Sequence, residues 1–261
     1  MTVFLHEIRR CRLSLLIWSA AVGFMLVVCV FVYPEMKPQM SQMENFMSDM
    51  GSFSSAFGMD KLNFSRFPDY FAIECGNCLG LGGALFAAVT GITMLSKEEK
   101  EHTSEFLFTH PVSRCNIVLG KLLSVIAQII VFNAIVAASS IASIYIIGED
   151  ADISLILLQF LAYFLLQIEI ALLCFGISAF IRSGLGLGIG LAFGFYFCNI
   201  ITNITEDAEF LKYLTPFAYA DGSEILQNKE LSPVYLSIGM CLALSAAAIA
   251  FIKTSKKDLS C

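Results

Sequence analysis

Residues with the chemistry for a site are few in this chain, and their spacing decides what each can do. Cys75 and Cys78 form a C-x-x-C, a spacing that suits a metal or a redox pair only when further ligands are at hand. No second pair exists, and all three histidines, His6, His102 and His110, lie elsewhere. Most of the nine cysteines sit inside apolar runs, where cysteine acts as a small hydrophobe. No disulfide framework is visible, and no metal is expected. Glu169, with Gln167 nearby, falls mid-way along one apolar run, and Glu74 lies near the end of another. A carboxylate in such a setting is either a structural hydrogen-bonding group or part of a translocation path, and the residues leave both open. No lysine, arginine or histidine deep in a run answers them. Gly120-Lys121 is followed by leucine, and G-x-x-x-x-G-K-[ST] does not occur, so the chain holds no nucleotide motor of its own. The glycines from Gly184 to Gly190 alternate, but no strand precedes them and no acidic partner follows at dinucleotide-binding distance. No residue is identified as catalytic.

The elements that must carry these residues are set by composition. The chain has 261 residues, 57% hydrophobic and only 15% charged, against roughly 45–50% and about 25% in a soluble domain. The charges cluster, and the stretches between them approach or exceed the roughly 20 apolar residues that span a bilayer. A soluble enzyme, a nucleic-acid binder and a disordered scaffold are excluded. The net charge of -6 argues against a polyanionic partner. Six segments qualify as transmembrane helices, at 13–33, 71–95, 117–147, 153–181, 185–204 and 233–252, within a single transmembrane domain over 1–261. The expected fold is all-α. Arg9, Arg10 and Arg12 precede the first run as in a signal peptide. That run is too long for an h-region and lacks a cleavage site, so a retained signal anchor is expected.

Basic residues sort by side. With the N-terminus inside, the inner segments hold Arg9, Arg10, Arg12, Lys97, Lys100, Arg114, Lys121, Arg182, Lys253, Lys256 and Lys257. The outer segments hold only Lys37, Lys61, Arg66, Lys212 and Lys229, and they collect acids such as Glu149, Asp150 and Asp152. The positive-inside rule then places both termini in the cytoplasm. The outer loop 34–70 reads as a partly helical segment on the surface, and 205–232 as an amphipathic or re-entrant turn at the interface. In the fifth span Gly186, Gly190 and Gly194 recur every four residues along one helix face. Small residues at that spacing permit close helix packing, against either this chain or a second subunit. Gly76 and Gly80 repeat the pattern in the second span.

The inner loop after the second span is the informative one. It runs from Ser96 through Lys97, Glu98, Glu99, Lys100 and Glu101 to Phe106-Leu-Phe108, then stops at Pro111. The first half is a charged helix former, and the second is an apolar turn that proline ends. Ser113 can cap the next helix. A short helix at the inner membrane face, closed by a rigid turn that feeds a span, can transmit a push from a cytoplasmic partner. A free charged loop would not need the apolar turn.

The run Glu105-Phe-Leu-Phe-Thr-His-Pro-Val-Ser-Arg114 resembles the cytoplasmic loop of ABC-2 type transporter permeases. That family reads Glu-rich, then Gly-Thr-x-Glu, a leucine-rich turn and Pro-Val-Ser-Arg. Thr103, Glu105, Pro111, Val112, Ser113 and Arg114 match, and His102 stands where glycine is common. The basic N-terminal stretch, Leu214-Thr-Pro-Phe217 and Lys256-Lys-Asp-Leu259 extend the likeness over the whole chain. The resemblance implies a coupling helix between spans two and three, with Glu98, Glu99, Thr103, Glu105, Pro111 and Arg114 as ATPase-coupling residues. It also implies a separate ATPase subunit carrying ATP and magnesium, a second permease subunit as homodimer or heterodimer, and no nucleic-acid partner. Substrate would pass between the permeases of a bacterial plasma membrane, with export the expected direction. A secondary transporter is the alternative, but it would want more buried charge or discontinuous helices in repeated halves. An intramembrane metallopeptidase would need histidines or paired carboxylates within the spans. Nothing in the residues names the substrate.

Overall fold

Apolar surroundings offer no water to a backbone N–H or C=O, so a spanning segment must satisfy these groups internally. Every regular element among the described residues is accordingly a helix. The computed structural model describes residues 2–39, 55–56, 62–63, 65–100, 114–149, 151–181 and 183–256. Helix α1 is Thr2–Met36, followed by a 3-10 turn at Lys37–Gln39. Helix α2 (Phe67–Cys75) runs through a π-helical stretch, Gly76–Leu81, into α3 (Gly82–Lys100). Then come α4 (Arg114–Ile147), α5 (Ile153–Ser178) and α6 (Leu185–Ile204). Two 3-10 segments, Glu206–Tyr213 and Pro216–Ala220, lead to α7 (Gly222–Asn228) and α8 (Pro233–Lys256).

Among the described residues six stretches are long and apolar enough to cross a membrane: Val3–Gln39, Phe67–Lys97, Arg114–Ile147, Ile153–Ser178, Leu185–Ile204 and Pro233–Thr254. They correspond one for one to the expected spans, with shifted ends. Helix α1 takes in Arg9, Arg10 and Arg12 instead of starting after them, because side-chain charge does not interrupt a backbone ladder. The short connection between α4 and α5 depends on Gly148 at φ +69°, a left-handed conformation that glycine adopts without strain. The Asp152 carboxylate then accepts from the Ser154 N–H at 3.0 Å and starts α5. The acids of this connection meet a base from far away in sequence, since Lys37 Nζ bonds Glu149 Oε2 at 2.7 Å.

Helix α5 lies at the centre, with α3, α4 and α8 against it; α1 packs on α4 and α6 on α3. Apolar side chains gain little by leaving lipid for protein, so close approach of backbones must hold such a bundle. Gly91 of α3 sits so near α5 that a Cβ would overlap the Ala171 carbonyl. A Cβ on Gly176 of α5 would stand 2.7 Å from the Ala246 Cβ of α8. Gly76 and Gly80 face Tyr163, where an added Cβ would lie 3.1 and 3.2 Å from its atoms. By contrast, a Cβ on Gly186, Gly190 or Gly194 would meet nothing within 4 Å among the described residues. Within the chain, α6 approaches α3 through Gly188 against Ile92 instead.

Gly91→Ala should therefore destabilise the purified protein by about 1–3 kcal/mol, the usual consequence of overpacking, because rigid backbone meets the new methyl. Gly190→Ala should leave unfolding of the single chain unchanged. Thermal or denaturant unfolding in detergent reads both, and equal midpoints for the two variants would contradict the packing scheme.

Candidate functional site

Charged residues of α1, α3 and α4 converge on a single carboxylate. Glu7, in the second turn of α1, is buried at 2% exposure and accepts a short hydrogen bond from Lys97 Nζ of α3. Lys121 of α4 is fully buried, with its Nζ 3.4 Å from Glu7 Oε1. It also donates to the Met94 carbonyl at 2.8 Å. Lys97 keeps 15% of its side chain exposed. Three helices thus meet through one carboxylate, and two of them are the helices that run into and out of residues 101–113. Lys97 stands three residues before the end of α3, and Lys121 seven residues, or about two turns, after the start of α4. Ser124 Oγ lies 3.8 Å from Met94 Sδ, continuing the contact between the same two helices.

Of the residues expected to couple the chain to a partner, Glu98, Glu99 and Arg114 stand between Lys97 and Lys121 in sequence. Glu98 and Glu99 belong to the last turn of α3, and Arg114 opens α4 half-buried. Thr103, Glu105 and Pro111 lie outside the described residues, as do the side chains of Glu98 and Glu99. By sequence Lys121 is one inward charge among eleven, and nothing along the chain pairs Glu7 with it. The available signal was an acid alone among Arg9, Arg10 and Arg12, and a lysine placed well inside an apolar helix.

Glu169 lies in the interior of the chain. It is 3% exposed and accepts from Tyr219 Oη at 2.9 Å. Gly239 of α8 lies directly on its carboxylate, so close that a Cβ there would overlap it. Tyr219 belongs to Pro216–Ala220, a segment buried at every residue. Thr215 caps that segment and donates its hydroxyl to the Phe195 carbonyl of α6 at 2.9 Å. Glu169 stands 16 residues into α5, about 24 Å at 1.5 Å per residue, so the segment between α6 and α8 turns back into the bundle instead of lying across its end. Two residues earlier on α5, Gln167 Oε1 accepts from Asn133 Nδ2 of α4 at 2.6 Å.

A cavity of about 60 Å³ lies between α2, α5, α6 and α7, bordered by Asn77, Tyr163, Tyr196, Asn199, Asn203 and Asp221. Ligand pockets for organic molecules occupy about 300–1,000 Å³, so this polar space is too small to hold one. Glu169 does not border it. The face of α6 that carries Gly186, Gly190 and Gly194 also bears Phe193, Phe197 and Ile201, and all of these are exposed. Cys75 and Cys78 do not come together as a pair. Cys78 turns to Cys29 and Glu74 instead.

The family model for ABC-2 family transporter proteins matches residues 1–255. No curated protein matches the chain.

Glu7→Gln removes the carboxylate that faces a fully buried ammonium, and breaking such a pair from one side commonly costs about 3–5 kcal/mol. Replacing both groups removes the uncompensated charge, so Glu7→Gln with Lys121→Met should recover most of that loss. Unfolding of the purified variants measures it. A double variant no more stable than Glu7→Gln would show that the pair does not organise this end of the bundle.

Proposed function

The chain belongs to the ABC-2 transporter family, and on that footing we propose that it is the permease subunit of an exporter powered by a separate ATPase. It is a multi-pass membrane protein and the membrane component of an ABC transporter. The ATPase partner would bind ATP and magnesium and dock on residues 97–114 from the cytoplasm. Both termini would share that side, as the sorting of basic residues indicates. The observation that carries the coupling role is the Glu7 cluster. A force on 101–113 reaches α3 and α4 at once, and Glu7 gives α1 to the same rigid unit. Glu98, Glu99, Thr103, Glu105, Pro111 and Arg114 are the proposed docking and coupling residues on the strength of the family motif.

A second permease subunit completes the reading. Passage between two chains follows the family resemblance, and the cavity bordered by Asn77 and Tyr196 is too small to hold an organic substrate. Gly186, Gly190 and Gly194, where an added Cβ would meet nothing within 4 Å among the described residues, would supply a face for that contact. For Glu169 the hydrogen bond to Tyr219 and the contact with Gly239 favour a structural role, holding the inward-turning segment against α5 and α8.

Glu105→Ala and Arg114→Ala should lower transport and ATPase stimulation while leaving the fold of the purified chain intact. Loss of a buried interfacial charge commonly costs about 2–5 kcal/mol in binding, against near zero for a solvated one. Co-purification, ATPase assay and transport, compared with the parent, test this. If both variants bind, stimulate and transport like the parent, the segment is only a connector. Gly190→Leu should reduce recovery of the two-permease complex with unfolding of the single chain unchanged. Normal complex recovery and transport would remove this face from the interface.

A further inference from the structure

At the end of α1 and α2 away from Glu7, two cysteines and a carboxylate converge from two spans. Cys29 of α1, Glu74 of α2 and Cys78 of the π-helical stretch each bring one ligand atom within 4.8 Å of the others. Cys29 Sγ donates to Glu74 Oε2 at 3.4 Å. Tyr70 Oη donates to the Cys29 carbonyl at 3.1 Å, which fixes α1 against α2 at the ligand. Cys78 is buried, while Cys29 and Glu74 are half-buried and leave a way in. The π-helical stretch opens at Gly76, between Glu74 and Cys78, and such widened turns occur frequently at functional sites.

We propose that Cys29, Glu74 and Cys78 form a binding site for a thiophilic divalent cation of the zinc type. Thiolate sulfur at about 2.3 Å and carboxylate oxygen at about 2.0–2.2 Å around a tetrahedral ion stand roughly 3.4–3.8 Å from one another. The Cys29–Glu74 separation already meets that requirement, and the fourth position stays open to water. Two thiols and a carboxylate carry one negative charge. Two thiolates, a carboxylate and a dication carry the same, so loading releases two protons and adds no net charge to an apolar region. The ion ties α1 to α2 at this end as Glu7 ties α1 to α3 at the other. The ligand pair is not the C-x-x-C, because Cys75 is fully buried and outside the cluster.

Cobalt(II) is the probe, added to the purified full-length chain in detergent, with zinc as competitor. One equivalent should give thiolate-to-cobalt charge-transfer and tetrahedral visible bands, both abolished by zinc. Cys29→Ser and Cys78→Ser should lose the bands, Glu74→Gln should raise the cobalt Kd, and Cys75→Ser should bind like the parent. Gel filtration of each variant separates lost binding from lost fold. The assignment is overturned if the folded parent gives no thiolate bands or if Cys75→Ser abolishes them equally. Bands that persist in the Cys29→Ser, Cys78→Ser double variant would also overturn it, as would a Cys29–Cys78 disulfide in the parent.

Discussion

The arrangement at one end of this bundle depends on a carboxylate taken out of water. An ion moved into a protein interior loses several kcal/mol of hydration, and only opposite charge and hydrogen bonds in good geometry offset that loss. Glu7 satisfies the condition with Lys97 and Lys121, and Lys121 adds the Met94 carbonyl. Glu7, Lys97 and Lys121 come from three different helices, so separating α1 would take both lysines from their shared counter-ion, and separating α3 or α4 would take one lysine from Glu7. The penalty for separation makes α1, α3 and α4 move together. In the proposed permease such a unit would pass on a push from the partner, where a single loose helix would absorb it.

The middle of the bundle is held differently. Around α5 the contacts are steric: Gly91 against Ala171, Gly176 against Ala246, and Gly239 against the Glu169 carboxylate. Backbones this close leave no space for lipid, and dispersion and hydrogen bonds at short range replace the hydrophobic drive that lipid cancels. Glu169 joins both modes. Its carboxylate fills the space that Gly239 leaves, and it accepts from Tyr219, so the segment between α6 and α8 is held inside the bundle by a bond to the central helix. The outer face of α6 has no such counterpart among the described residues, and Gly186, Gly190 and Gly194 are exposed there.

Much of the fold was legible because spanning is a local property. A run of about 20 apolar residues is a helix in lipid whatever lies beside it, so six spans and their order follow from composition alone, and charged flanks blur only the ends. Helical period likewise placed Gly186, Gly190 and Gly194 on one face. It could not say what the face meets, and among the described residues the closest approaches of a glycine to another helix's backbone fall to Gly91 and Gly176, which stand in no obvious stripe. The pairing of ligands and ions was not legible at all. The C-x-x-C drew notice by spacing, yet Cys78 finds Cys29 and Glu74 while Cys75 turns elsewhere.

What the sequence determined by itself is the membrane class, the six helices and, through the motif from Thr103 to Arg114, the family. These are read from neighbours along the chain or from a short contiguous pattern. The tertiary structure alone decided which polar groups meet. Glu7 and Lys121 are 114 residues apart, Lys37 and Glu149 are 112 apart, and Tyr219 and Glu169 are 50 apart. Each contact depends on how far one helix is rotated and slid against another. Those two quantities are set by the summed packing of whole helix faces, so no single residue or spacing encodes them.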